Sequence, residues 1–188
     1  AVPALSRAAD NVNETEEFKY LQATAYFNQR DWDKARDAFQ AFAKAFPRSR
    51  WRHAVSLRLA DLEIDPARAE KAYRELLAET QGTEWLADVR WALANHLYTW
   101  GKYRRALDVL LEVGRSNDPR KIRALYLAGL SQMALGERKG AEVLFARVRD
   151  QFTDTPWAEA ARAGIGDARF AEKDWRGALE AYDAYLDA

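Results

Sequence analysis

The chain has 188 residues, with 29 Lys and Arg against 29 Asp and Glu, and it contains no Cys. That length suffices for one or two domains with a sizeable buried core. Zero net charge argues against nucleic acid or an anionic membrane as the main partner, because neither would meet an opposing field. Without Cys there are no disulfides, thiolate metal sites or Cys nucleophiles. No run of about 18 apolar residues appears, so no segment reads as a membrane-spanning helix. Ala, Leu, Arg and Glu dominate, β-branched residues are few and no strand-like alternation persists, which is an all-helical composition. Two basic clusters, Arg48, Arg50, Arg52, His53 and Arg58, then Arg120, Lys121 and Arg123, read as solvated helix faces before anion-facing patches.

In chain order, "AVPALSRAADN" lacks the basic start and long apolar stretch of a signal peptide. Residues 1–15 are an N-terminal extension or a short helix capping the first helical pair. From residue 16 an amphipathic helix pair recurs. Its second helix reads "QRDWDKARDAFQAF" at Gln29–Phe42, "EIDPARAEKAYREL" at Glu63–Leu76 and "WGKYRRALDVLLEV" at Trp100–Val113. It returns as "LGERKGAEVLFARV" at Leu135–Val148 and "EKDWRGALEAYDAY" at Glu172–Tyr185. Aligned on these, one Ala recurs at 35, 69, 106, 141 and 178. Four residues on stand Phe39, Tyr73, Leu110, Phe145 and Tyr182, and three further Phe42, Leu76, Val113, Val148 and Tyr185. Small, large, large at i, i+4 and i+7 is one face of a helix, on which the Ala admits a neighbouring helix and the large residues fill the space beside it.

Each of these helices comes after another amphipathic segment with its own small residue: Ala23, Ala60, Ala94, Gly129 and Gly166. Gly inside a helix costs about 1 kcal/mol relative to Ala, so Gly129 and Gly166 at a matched position imply a packing reason. The joints between pairs also repeat. "FPRSRWRHA" (Phe46–Ala54), "AETQGTEWLADV" (Ala78–Val89) and "FTDTPWAEA" (Phe152–Ala160) each place Ser49, Thr83 or Thr155 two residues before Trp51, Trp85 or Trp157. The hydroxyl can cap the new helix, and the Trp is expected to wedge against the last helix of the preceding pair, near Phe46 and Phe152.

A helix–turn–helix period of about 34 residues, a small residue in the first helix, Ala-x3-Phe in the second and Pro47 after it resemble the tetratricopeptide repeat. The resemblance covers residues 16–188 as units 16–48, 49–81, 82–115, 116–153 and 154–188. It departs from the family pattern where the first-helix aromatic appears only as Tyr26 and the terminal Pro only as Pro47. It implies an all-α, right-handed superhelical solenoid whose first helices line a concave side. The joints are similar in style to those of bacterial outer-membrane assembly lipoproteins and periplasmic Tol–Pal partners with these repeats. That implies a periplasmic or outer-membrane-associated protein, with the cytoplasm left open.

Catalytic and metal motifs are missing from the sequence. His53 and His96 are the only imidazoles and lie in different units. No zinc, phosphate or dinucleotide motif occurs, Gly164–Gly166 lies inside a helical pattern, and no loop alternates oxygen ligands for calcium. No enzyme activity, metal or cofactor is expected. The resemblance places Tyr20, Phe27, Asn28, Trp91, Asn95, Tyr98, Tyr126, Met133 and Phe170 on the concave face, beside Thr24, Leu57, Asp61, Ile64, Asp88, Arg123, Leu130, Ala163 and Asp167. Aromatics with a central amide suit a peptide, and Asn95 offers both donor and acceptor. The same aromatics can instead pack on the next unit. The Lys–Arg–Asn clamp of chaperone-binding members is absent, which argues against a co-chaperone.

The expected function is a protein–protein scaffold holding a peptide or partner helix in this groove, within a bacterial envelope assembly. The alternative is a structural or oligomerisation module using the convex face or the C-terminal end. The chain stops near the end of the fifth unit, leaving Tyr182 and Tyr185 partly uncovered. A longer chain is expected to continue there; otherwise that end docks on a partner.

Overall fold

The computed structural model describes the backbone over Val2–Leu186 and the side chains over Thr15–Leu186. Among these residues there are ten helices and no strand: α1 Val2–Asn28, α2 Trp32–Ala45, α3 Arg52–Asp61, α4 Pro66–Glu79, α5 Leu86–Thr99, α6 Tyr103–Arg115, α7 Lys121–Ala134, α8 Arg138–Gln151, α9 Pro156–Ala171 and α10 Trp175–Leu186. They form five consecutive hairpins, as the periodicity requires. Two compact units hold them, residues 1–89 and 90–188. α1 runs unbroken through residue 15. The side chains that would cap the first hairpin lie outside the described residues, and so do Asp187 and Ala188.

One turn recurs inside the hairpins. Seven residues after the small residue of the first helix, the chain adopts a left-handed conformation at Arg30, Gly101, Gly136 and Lys173 (φ 61°, 69°, 77° and 65°). The next N–H reaches back five residues, from Asp31 to the Tyr26 carbonyl and from Asp174 to the Arg169 carbonyl, both at 3.0 Å. These bonds satisfy carbonyls that the ending helix leaves open. The second hairpin lacks the turn. There α4 begins on Pro66 behind Asp65, whose carboxylate accepts from the Arg68 N–H at 2.8 Å.

The repeated small residues sit at the core. Ala35, Ala69, Ala106 and Ala141 are fully buried, as are Phe39, Leu110 and Phe145. A Cβ on Gly129 would lie 2.6 Å from the Phe145 ring, and one on Gly164 would lie 2.9 Å from the same ring. Phe145 is therefore clasped by a glycine of its own hairpin and one of the next. Gly166 likewise leaves room for the Tyr182 ring. The packing reason expected for Gly129 and Gly166 is a large second-helix ring lying on the first-helix backbone.

The joints differ from expectation in two respects. Only Thr155 caps its helix, its hydroxyl accepting from the Ala158 N–H at 3.3 Å. Ser49 and Thr83 accept instead from the N–H of Trp51 and Trp85, at 2.9 and 3.3 Å, just ahead of α3 and α5. They shape the approach to the helix, as an ST-turn does. Trp51 meets the preceding second helix as expected, 6.4 Å from Phe42, but Trp51 and Trp157 also lie against an aromatic of the preceding first helix, and closer. Trp51 stacks on Tyr20 (centroids 5.1 Å, planes 9° apart), and Trp157 lies 5.5 Å from Tyr126.

A fourth joint is hidden in the sequence because it has no aromatic. Nine residues before Gly129, where the others carry Trp, stands Arg120, and two earlier stands Asp118. The Asp118 carboxylate accepts from the Arg120 N–H at 2.8 Å, as Ser49 does for Trp51. It also takes the Arg120 guanidinium through both oxygens, at 2.7 and 2.6 Å. That guanidinium lies 5.7 Å from the Trp91 ring, in the role Trp51 plays over Tyr20. The phase relative to Gly129 was the available signal.

Candidate functional site

Helical spacing sorts the concave candidates into three rows on the first helices. The row three residues before the small residue holds Tyr20, Trp91 and Tyr126, all half-buried. Each is partly covered by the joint side chain of the following hairpin: Trp51, Arg120 and Trp157 respectively.

The row one residue after the small residue holds Thr24, Asp61, Asn95, Leu130 and Asp167. Their bonds depend on the identity of the large residue on the second helix. Where that residue is Tyr, the acid accepts its hydroxyl: Tyr73 to Asp61 at 2.6 Å and Tyr182 to Asp167 at 2.8 Å. Burial, then the Asp61 charge and hydrogen bond, push the Tyr73 phenol well above its ordinary value. The Asp167 hydrogen bond raises Tyr182 first. Where the large residue is Phe39 or Leu110, the first-helix side chain turns onto its own backbone. Thr24 donates to the Tyr20 carbonyl at 2.9 Å and Asn95 to the Trp91 carbonyl at 3.0 Å. One amide donor of Asn95, read from the sequence as a peptide-backbone contact, is thereby engaged within α5.

The row four residues after the small residue contains Phe27, Tyr98, Met133 and Phe170. Three of these pair edge to face with the first aromatic of their own second helix: Phe27 with Trp32 at 5.4 Å, Tyr98 with Tyr103 at 5.7 Å and Phe170 with Trp175 at 5.0 Å. Met133 packs half-buried on the α7–α9 core. Asn28 is exposed. Phe27 also carries the Arg58 guanidinium at 4.8 Å.

What gathers is a face of α5, α7 and α9 inside residues 90–188. At its centre the Arg123 guanidinium lies between two indoles, 5.3 Å from Trp91 and 5.9 Å from Trp157. Arg90, Arg104, Arg120, Arg138 and Arg169 each pair with a carboxylate. Among the described residues Arg123 has no such pair, and it is exposed. One turn along α7 stands Tyr126, raised above its ordinary pKa first by burial and then by the Asp167 charge. Tyr98 is raised by burial and then by the neighbouring Tyr103 and Tyr126 phenols. Neutral phenols and a fixed cation on an aromatic floor can bind an acidic, partly apolar chain segment. Tyr182, expected at an open end, is seated on Gly166 and bonded to Asp167, whereas Tyr185 is exposed.

A tetratricopeptide-repeat family model matches residues 18–49 and 123–155, which lie in the first and fourth hairpins. A search of curated proteins finds no match. Among solved structures the chain is similar to a tetratricopeptide repeat protein from Parabacteroides merdae, with a TM-score of 0.75 and 15% identity over 93% of this chain and 66% of that one. It is similar to the MamA protein, at 0.75 and 19% identity over 93% and 92%. It is also similar to pilF of Pseudomonas aeruginosa, at 0.66 and 19% over 93% and 77%. At these identities the likeness is one of fold.

Proposed function

The chain carries tetratricopeptide repeats and has their fold, and from that premise we propose that it is a protein-interaction scaffold. It takes a segment of a partner protein on the face of α5, α7 and α9. Arg123 carries this reading: an exposed guanidinium held between Trp91 and Trp157 and, among the described residues, without a carboxylate partner. Such a group is held in place before binding, so less side-chain entropy is lost when a ligand arrives. Its planar fork matches a carboxylate, and the indoles and Tyr126 add contact area around it.

Peptides selected from a displayed random library against the 188-residue chain provide the test. The selected peptides are expected to be enriched in Asp and Glu beside apolar residues. Arg123→Ala should weaken their binding about tenfold or more, in line with loss of one partner of a desolvated charge pair. Its melting temperature should stay close to that of the parent. Binding indifferent both to Arg123→Ala and to the double change Trp91→Ala with Tyr98→Ala would remove the groove from consideration.

We further place this scaffold in the bacterial envelope, in the periplasm or at the outer membrane, on the style of the joints around Trp51 and Trp157. Recovery of the tagged full-length protein in the cytosolic fraction would rule that placement out.

A further inference from the structure

The six residues before the repeated Ala of each second helix hold the hairpin turn and the start of that helix. In the third, fourth and fifth hairpins they are 100–105, 135–140 and 172–177, and together they carry seven Lys and Arg against three Asp and Glu. The same stretches of the first two hairpins, 29–34 and 63–68, carry three against four. Two ion pairs join the three turns into one edge within residues 90–188: Arg104 with Glu137, and Arg138 with Glu172 at 3.6 Å. The third acid, Asp174, accepts from the Gly177 N–H at 3.0 Å, at the start of α10. The acids of the edge are thus engaged. Lys102, Lys139 and Lys173, one in each hairpin, are exposed and have no carboxylate partner among the described residues. Beside them stand Trp100 and Trp175, 50% and 56% exposed. Trp175 owes its exposure to its step and not to the end of the chain. Trp32, at the matching step of the first hairpin and with another hairpin after it, is 45% exposed.

We propose that this edge rests on an anionic lipid bilayer, with the two indoles at the level of the headgroups and the three ammonium groups facing the lipid phosphates. Charge complementarity identifies the occupant. A surplus of cations whose neighbouring acids are already engaged meets a negative surface, and the attraction grows with each Lys brought near it. The rings narrow the occupant to a bilayer, because Trp joins an apolar body to an N–H and settles at the membrane–water interface. The groups are also spread along three successive turns rather than gathered about one point. A flat surface meets all of them at once, which a single side chain or a small anion does not. Zero net charge of the whole chain does not oppose the contact, since exposed charges more than about 8 Å away are largely screened at physiological salt. Among the described residues no helix is long and apolar enough to cross a membrane, so the contact is with the surface. It uses neither Arg123 nor the indoles around it.

Co-sedimentation of the 188-residue chain with vesicles provides the test. The chain should partition onto vesicles of phosphatidylglycerol and phosphatidylcholine in equal parts, and stay in solution with phosphatidylcholine alone. Reversing the three charges together, by Lys102→Glu, Lys139→Glu and Lys173→Glu, should lower that partition about a hundredfold or more. Helical signal should be unchanged, since all three side chains are exposed. Arg123→Ala should leave the partition as it is; a loss there would move the contact to the α5–α7–α9 face and overturn the proposal. Brominated acyl chains in the mixed vesicles should quench part of the tryptophan emission. Trp100→Phe with Trp175→Phe should remove that quenching and keep the chain bound, whereas binding of the parent without quenching overturns the seating of the indoles. A chain that stays in solution with the mixed vesicles overturns the proposal, and so does partition that survives the charge reversal. Capture of a single-stranded oligonucleotide in preference to the vesicles would assign the edge to nucleic acid and overturn it as well.

Discussion

Lys173 and Arg30 occupy the left-handed position that Gly fills in the third and fourth hairpins. A Cβ there meets the following carbonyl, a cost of roughly 1–2 kcal/mol that glycine avoids at the expense of some chain entropy. Lys173→Gly should therefore raise stability by up to about 1 kcal/mol, seen as a melting point a few degrees higher; a lower one would mean that the lysine side chain contributes more than its backbone costs. The Tyr–Asp pairs belong to the same scale. Tyr73→Phe should cost about 1.5–3 kcal/mol, because it leaves the Asp61 carboxylate without a nearly buried phenol. Tyr182→Phe should cost less, since its bond to Asp167 faces solvent. Equal losses at both sites in urea titrations would contradict this dependence on burial.

At the scale of elements, the joint decides how one hairpin succeeds another, and the fourth joint does so with charge. The Arg120 side chain, more than offsetting burial, holds the Asp118 carboxyl below the usual carboxylate range. As pH falls, the unfolded chain takes the proton first. The stabilisation is complete above the unfolded value near 3.9 and is lost as pH falls through the lower folded value. Urea midpoints of the parent and of Asp118→Asn should differ by a constant amount above about pH 5 and converge below about pH 4. A gap that stays constant down to pH 3 would mean that the carboxylate contributes little there. This joint is not legible from residue type, because Arg120 and Trp51 share no chemistry visible in a string, and only the phase relative to Gly129 marks it. They share only a position and a flat group laid over an aromatic ring.

For the whole molecule, the hairpin period was legible because it depends on local spacing. A small residue every 34 to 37 positions and large ones four and seven later fix which helix face is apolar, whatever lies opposite. The sequence by itself thus determined five helical pairs and most of their core. It did not determine the standing of an aromatic on the first helices. Tyr20 and Tyr126 occupy the same step as Trp91, and whether their rings are free depends on a joint side chain about thirty residues further along. Asp61 and Asp167 read as ligand contacts until a tyrosine from the second helix is seen to reach them. The value of Arg123 likewise appears only when α5 and α9 bring Trp91 and Trp157 to its two sides. Periodicity is written in neighbours along the chain, whereas exposure is set by what the folded chain lays across each side chain, and only the tertiary structure decided that.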